Sequence, residues 1–186
     1  MTVPTTLRTE RLLLRPFQPG DVDDVLDYRN DPEFARFLAH VPQPFTRADA
    51  EKFVELNMAE PWDRSPVFAV VFEGRLIGTV NFELEEADNQ TAMVGYAIGR
   101  RWWGRGIAVE AARAAIAWAT AAFGLTRVWA STDLPHVRSQ RVLEKLGMRR
   151  ETVCAGAGVD RRGEPVDVVV YGLDVSAQNS RYGVET

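Results

Sequence analysis

Alternating apolar and polar positions predict several strands along the chain. Residues 12–17 alternate in this way, and the apolar runs 67–72 and 76–82 are separated by a short turn, Glu73-Gly74-Arg75, as in a pair of neighbouring strands. Four more strands are predicted at 91–98, 127–132, 148–155 and 166–173. The last two would form a terminal hairpin.

Apolar residues at helical spacing predict helices between these strands. Val22, Val25, Leu26 and Arg29 share one face of the first helix, and a second, short helix would begin at Glu33. Three more helices are predicted: one after a Thr46–Asp49 capping box, a long one between Gly106 and Gly124, and one ending at Gly147. This order of elements predicts a mixed sheet with helices on both faces.

Composition narrows the class of protein. The chain has 186 residues, 46% of them hydrophobic, and no internal repeat or long linker, so we expect one domain over residues 1–175 and a flexible tail over 176–186. With 26 acidic and 22 basic residues, its net charge of −4 argues against nucleic-acid or membrane partners. The single cysteine, Cys154, excludes an intrachain disulfide. Together with the lack of a signal or membrane segment, this predicts a cytoplasmic protein.

The strand at 91–98 runs through a glycine loop directly into the long helix. Free N–H groups at a helix N-terminus bind anions, and glycines let an anion approach closely. A Walker phosphate loop is excluded because Gly-Lys-Ser/Thr is absent, and the dinucleotide fingerprint fails at Val109. The remaining pattern is Arg101-x-x-Gly104-x-Gly106.

This pattern and its surroundings resemble the GNAT family of acyl-CoA-dependent N-acetyltransferases over nearly the whole chain. The resemblance extends through the Ala-rich helix and the next strand to the segment 133–147, which ends in R-V-L-E-K-L-G. The opening T-E-R-L-L-L-R-P-F, Ile77-Gly78 and Gly95-Tyr96 resemble the branch that acetylates ribosomal-protein N-termini. The resemblance implies an α/β (α+β) fold with a mixed, mostly antiparallel sheet of about seven strands, in which strands 91–98 and 127–132 splay apart and admit acetyl-CoA.

The resemblance also implies where acetyl-CoA binds. Its pyrophosphate would lie on the amides of residues 101–107, and the arginines there would add local positive charge. Arg100 is expected to be solvated, and Trp102 and Trp103 to pack against a neighbouring helix rather than stack on a ligand. The predicted acetyl-CoA contacts are Tyr96, Ala97, Ile98, Arg101, Trp103, Gly104, Arg105, Gly106, Ile107, Ala108 and His136.

Acetyl transfer needs a neutral amine, a polarised thioester carbonyl and a proton for the departing thiolate. By resemblance, backbone N–H groups near Tyr96 and Ala97 would polarise the carbonyl, and Ser139 would be the acid. His136 stands where the family has asparagine, so it could bind CoA or act as an acid or base.

The sequence indicates the general base less directly than the acid, because Met93 occupies a position where many relatives have glutamate. Glu83 and Glu85 are substitutes, and we favour Glu83 because it shares a strand face with Asn81. An acyl-enzyme on Cys154, activated by His136, is a second mechanism, although Cys154 lies in a predicted strand typical of core packing.

The prediction is therefore direct transfer of an acetyl group from acetyl-CoA to a primary amine, without a metal, since the chain has only two histidines. The acceptor is a protein N-terminus or a small-molecule amine. Six acids against one base, Arg29, between residues 21 and 33 form either a solvated face or a surface for a cationic acceptor, such as a polyamine or an aminoglycoside. A non-catalytic acyl-CoA-binding domain and a homodimer remain open.

Overall fold

The computed structural model describes residues 5–88 and 90–176. Asn89 of the predicted turn and the predicted tail beyond residue 176 lie outside this range. In the described chain, one eight-stranded sheet has the order β1-β2-β3-β4-β5-β6-β8-β7. Its strands are β1 (Leu7–Arg8), β2 (Leu12–Arg15), β3 (Val67–Phe72), β4 (Arg75–Leu84), β5 (Thr91–Ile98), β6 (Arg127–Asp133), β7 (Arg149–Val159) and β8 (Pro165–Asp174).

Four α-helices cover this sheet in the described residues. They are α1 (Val22–Arg29), α2 (Arg47–Ala59), α3 (Ile107–Phe123) and α4 (Val137–Lys145). The short helix predicted from Glu33 is wrong in type, because only a 3₁₀ turn forms, at Ala35–Phe37. The two-residue strand β1 was not predicted, since two residues are too few to show alternation. No helix within residues 5–88 and 90–176 is both long and apolar enough to span a bilayer.

Helices lie on both faces of the sheet, as predicted. Alternate residues of β3 belong to two separate cores, with Phe68 and Val70 in the one that includes α3 and α4. Val67, Ala69 and Val71 belong to the other, which includes α1 and α2. Burial on both faces explains why β3 is a continuous apolar run rather than an alternating one.

Local signals set the helix ends. Thr46 and Asp49 form the predicted capping box at the start of α2, with each side chain bonded to the backbone of the other residue. Gly124, with φ +66°, ends α3 in the left-handed conformation that glycine adopts without steric cost.

Strands β5 and β6 are the only parallel neighbours in the described sheet, and they separate soon after they meet. They pair at three positions, from Thr91 opposite Arg127 to Met93 opposite Trp129. Beyond Met93, β5 remains paired with β4, whereas β6 remains paired with β8. This divergence opens a gap between residues 94–98 and 130–133, which confirms the predicted splayed pair.

Candidate active site

The backbone of β5 directs one of the two predicted amides into the gap. Gly99 N–H donates to Ile77 O of β4 at 2.8 Å. Because successive N–H groups of a strand point to opposite sides, Ala97 N–H also faces β4, and Tyr96 N–H faces the gap. The expectation that both amides are free is therefore corrected, because the ladder with β4 uses that of Ala97.

A cavity of about 670 Å³ lies at this gap. Its lining brings together five residues that the sequence singled out, although they come from β4, β5 and α4. They are Glu83, Tyr96, Ala97, His136 and Ser139. The cavity also extends to α1, α2 and the segment between them, which supply Arg29, Phe37, His40, Phe53 and Asn57.

Ser139 and Tyr96 form a hydrogen-bonded pair in this cavity. Tyr96 Oη donates to the backbone carbonyl of Ser139 at 3.0 Å, and the two hydroxyl oxygens are 2.9 Å apart. Because a phenol has one proton, the Ser139 hydroxyl is the donor to Tyr96 Oη in this arrangement. Burial raises the pKa of Tyr96 to about 12, so the phenol stays protonated at neutral pH. The pair thus holds two exchangeable protons beside the gap.

His136 is the N-cap residue of α4, and its ring stacks on Phe37 with centroids 4.1 Å apart. Its Nδ1 is buried without a hydrogen-bond partner among the described residues. Burial, with the charges of Arg138 and Arg36, lowers the pKa of His136 to about 4. The imidazole is therefore neutral at physiological pH, which suits hydrogen bonding to a ligand and argues against proton donation.

Three carboxylates line the cavity, those of Glu60, Glu83 and Asp133, and the two that lie on the strands beside the gap, Glu83 and Asp133, are the candidate bases. Glu83 is exposed and lies opposite Met93 in the β4–β5 register. Asp133, at the end of β6, was not singled out as a base, and burial and the nearby Asp160 raise its pKa. Glu85 is outside the cavity lining and instead accepts a bond from the indole of Trp129 at 2.7 Å.

The glycine loop before α3 presents free amides. Gly104 and Gly106 have φ of +76° and +75°, in the left-handed region. No described residue accepts a hydrogen bond from the N–H groups of residues 104–109, and no side chain caps α3. These amides, at the positive end of a long helix, form a cradle for an anion.

The segment before β2 holds this loop in place through Glu110, in the first turn of α3. Glu110 accepts bonds from Thr9 Oγ1 at 2.5 Å and from Arg11 Nε at 2.7 Å. Arg11 also donates to the carbonyl of Arg105 at 3.0 Å. Burial raises the pKa of Glu110, but the bonds from Thr9 and Arg11 outweigh it and lower the pKa overall.

Other side chains around the loop make contacts within the protein. Arg101 donates to Asp27 at 3.3 Å, so its side chain turns toward α1. Trp103 donates its indole N–H to Ile98 O at 2.6 Å and lies under Arg138. This contact agrees with the expected packing of Trp103. The side chains of Ile98 and Ile107 are in the core, which leaves their backbone for any ligand contact.

The acidic surface predicted between residues 21 and 33 is neutralised by arginines. Each of its six carboxylates lies within 3.8 Å of a guanidinium: Asp21 with Arg15, Asp23 with Arg47, Asp24 and Asp27 with Arg75, Asp31 with Arg100, and Glu33 with Arg36. None of the six lines the cavity at the gap. The residue of this segment that does so is Arg29, whose only signal in the sequence was a basic residue on an apolar helix face.

Cys154 lies on β7, outside the lining of the cavity that contains His136. This separation gives no support to a Cys154–His136 acyl-enzyme. Among the described residues, no three histidine, cysteine, aspartate or glutamate side chains are grouped as metal ligands.

Comparison with known proteins gives a consistent result. Residues 11–149 match the family model described as an acetyltransferase (GNAT) domain. The chain is 26% identical to the uncharacterized N-acetyltransferase p20 of Bacillus licheniformis over 170 residues, which cover 90% of this chain and 95% of that protein. It is 31% identical to the uncharacterized N-acetyltransferase YnaD of Bacillus subtilis over 146 residues, or 78% and 83% of the two chains.

Solved structures have the same fold. A GNAT-family acetyltransferase from Bacillus anthracis superposes with a TM-score of 0.80 at 27% identity, over 91% of this chain and 98% of that one. The microcin C7 self-immunity acetyltransferase MccE, solved with acetyl-CoA and AMP, gives 0.84 at 19% identity, over 92% and 97%. The ribosomal-protein-S5-alanine acetyltransferase of Vibrio fischeri gives 0.79 at 22% identity, also over 92% and 97%.

Proposed function

Because this chain belongs to the GNAT acetyltransferase family, we propose that it moves the acetyl group of acetyl-CoA directly to a primary amine held in the cavity beside the β5–β6 gap. The predicted family, fold and enzyme class are thus confirmed. The observation that carries the proposed site is that Tyr96 turns its backbone N–H toward the gap while its phenol is hydrogen-bonded to the Ser139 hydroxyl in the lining of the same cavity.

The glycine loop fits the anionic part of acetyl-CoA. The free N–H groups of residues 104–109 would hold the pyrophosphate, and the left-handed Gly104 and Gly106 leave that surface without side chains. When bound, acetyl-CoA supplies an activated acetyl thioester. The bonds from Thr9 and Arg11 to Glu110 hold the loop in shape before the ligand arrives.

The chain's own groups supply the remaining chemistry. Tyr96 N–H faces the gap and would donate to the thioester oxygen, on which negative charge develops during the reaction. Ser139 would donate a proton to the departing thiolate, while the phenol of Tyr96 positions the serine and can replace that proton. Neutral His136 would hold the ligand by a hydrogen bond rather than by charge.

Removal of a proton from the acceptor amine falls to a carboxylate of the cavity. Glu83 remains the proposed base, because it lies on the cavity face of β4. Asp133 is the alternative, because its raised pKa brings it closer to the range in which a carboxylate accepts a proton at neutral pH.

The acceptor is a primary amine, either a protein N-terminus or a small molecule. A protein acceptor is supported by the similar fold of the ribosomal-protein-S5-alanine acetyltransferase. The alternative of a strongly cationic acceptor, such as a polyamine or an aminoglycoside, loses its support because the acids that suggested it are paired with arginines.

The test is release of the CoA thiol from acetyl-CoA across a panel of amines that includes peptides, amino acids and polyamines. Turnover above the background hydrolysis rate is expected for at least one of these classes. If acetyl-CoA raises the melting temperature while no amine supports turnover, the chain is a non-catalytic acyl-CoA-binding domain instead.

A further inference from the structure

Arg29, at the end of α1, is a buried arginine that lines the acceptor cavity. It is only 5% exposed. Its Nε–H has no hydrogen-bond partner in residues 5–88 and 90–176, and no carboxylate of these residues forms an ion pair with its guanidinium. An unpaired buried charge is strongly destabilising, so a buried arginine normally has a partner.

The surroundings of Arg29 supply packing but no counter-charge. Its guanidinium carbon lies 4.0 Å from the ring centroid of Phe53, 5.3 Å from that of Phe45 and 5.7 Å from that of Phe34. Aromatic faces attract a guanidinium but offset only part of the lost hydration. The buried carboxylate that precedes α1, that of Asp21, is already held by two bonds from Arg15.

Hydrogen bonds tie the backbone around Arg29 to the segment between α1 and α2. Gln43 donates to Arg29 O at 3.0 Å, and Asn30 accepts from Phe45 N at 3.0 Å. In the turn between β7 and β8, Arg161 donates to three backbone carbonyls of the segment between α1 and α2, those of Ala35, Leu38 and Val41. A guanidinium with a free Nε–H in such a frame is suited to an oxyanion.

We propose that Arg29 binds a carboxylate of the acceptor, so that the substrate is an amine that also carries a carboxylate, such as an amino acid or an acidic peptide. This inference rests on the proposed acetyl transfer and specifies its acceptor. The cavity presents both signs of charge, because Arg29 and the carboxylates of Glu60, Glu83 and Asp133 all line it and none of these three forms an ion pair with Arg29. An acceptor with both an amine and a carboxylate complements that arrangement.

The number of charges favours a carboxylate over a phosphate. Among the described residues that line the cavity, the cationic side chain is Arg29. The two histidines there have lowered pKa values, that of His40 through burial and the charge of Arg29. One guanidinium balances a single negative charge, whereas a phosphate monoester carries about −1.5 to −2 at neutral pH.

The first experiment compares acceptor pairs that differ in one anionic group. We measure kcat/KM for each L-amino acid against its amide, and for O-phosphoethanolamine against ethanolamine. The wild-type enzyme is expected to prefer the carboxylates at least about tenfold, mainly through KM, and Arg29→Met is expected to bring the ratio near one. Equal use of acids and amides, or a preference for the phosphate, would overturn the proposal.

The second experiment needs no turnover, so it separates this inference from the proposed activity. The melting temperature is measured with saturating CoA, which fills the loop, in sodium acetate or sodium benzoate against sodium chloride of equal ionic strength. The carboxylates are expected to raise the melting temperature of the wild type, to raise that of Arg29→Lys by less, and to leave that of Arg29→Met unchanged. The matched control is Arg47→Met, an exposed arginine at the start of α2 outside the cavity lining, which should keep the full rise.

Either of two results would contradict the assignment: no carboxylate-specific rise in the wild type, or a full rise in Arg29→Met. A purely structural role is tested by the same variants without added carboxylate. The melting temperature of Arg29→Met is expected to be unchanged or higher, because the substitution removes an uncompensated buried charge. A clear fall, with the preference for acids over amides retained, would assign Arg29 to packing instead.

Discussion

Gly106 offers the most controlled test of the anion cradle, because the same helix provides a matched control. Its φ is +75°, and a Cβ added there would meet nothing closer than Arg11 Nη2 at 3.7 Å. Gly124, at the other end of α3, has φ +66° and open space within 4 Å. Alanine at either position therefore lowers the free energy of unfolding by about 1–2 kcal/mol, because a residue with a Cβ is strained in the left-handed conformation. The added Cβ does not clash with the rest of the protein.

The two variants should be equally stable but should differ in acetyl-CoA binding. For a chain of this length, the strain corresponds to a fall in melting temperature of roughly 2–8 °C in both. In Gly106→Ala the methyl group enters the space of the anion. Loss of one hydrogen bond to a charged group, about 1.5–3 kcal/mol, would then raise the Kd of acetyl-CoA about 10- to 150-fold.

The assay is isothermal titration calorimetry with acetyl-CoA, supported by melting curves of both variants. Gly124→Ala is expected to retain the wild-type Kd. If Gly106→Ala also retains it, or if both variants lose affinity in parallel with stability, the loop before α3 is not the anion site.

Four further predictions concern individual side chains. Ser139→Ala should lower kcat by about 10²- to 10⁴-fold with little change in the Kd of acetyl-CoA, and an unchanged kcat would remove it from the acid role. Of the two candidate bases, Glu83→Gln should abolish the acidic limb of the kcat/KM–pH profile while Asp133→Asn retains it; the reverse result would assign the base to Asp133. Glu110→Gln should weaken acetyl-CoA binding several-fold without unfolding the chain, as checked by calorimetry and circular dichroism. His136 should show no NMR titration between pH 5.5 and 8, because its pKa in the folded protein is about 4. Since this pKa lies below that of the unfolded chain, the contribution of His136 to stability is complete above about pH 6.5 and is lost as the pH falls toward 4.

Features that depend on neighbouring residues were predictable from the sequence. The Thr46–Asp49 capping box and the glycine loop are local signals, and the structure has both. The gap beside Tyr96 followed from the family resemblance and agrees with the observed strand pairing. The capping box and the glycine loop needed only spacing and backbone preference, whereas the gap needed the resemblance to a known family.

Features that depend on partners far along the chain were not predictable. The acids between residues 21 and 33 fitted either a solvated face or a surface for a cation, and the sequence did not show that the fold brings arginines such as Arg75 and Arg100 to them. Arg29 looked like one more helix position until burial left it without a partner. The side to which the Ala97 amide points needed the register with β4, because a shift of one residue reverses it.

The most direct test of the central claim is the initial-velocity pattern with acetyl-CoA and an acceptor amine, both varied, together with intact mass measured after acetyl-CoA alone. Direct transfer in a ternary complex predicts intersecting double-reciprocal lines and an unmodified protein mass. Parallel lines, or an acetyl adduct on the protein that an amine then removes, would contradict the account and restore the acyl-enzyme mechanism on Cys154.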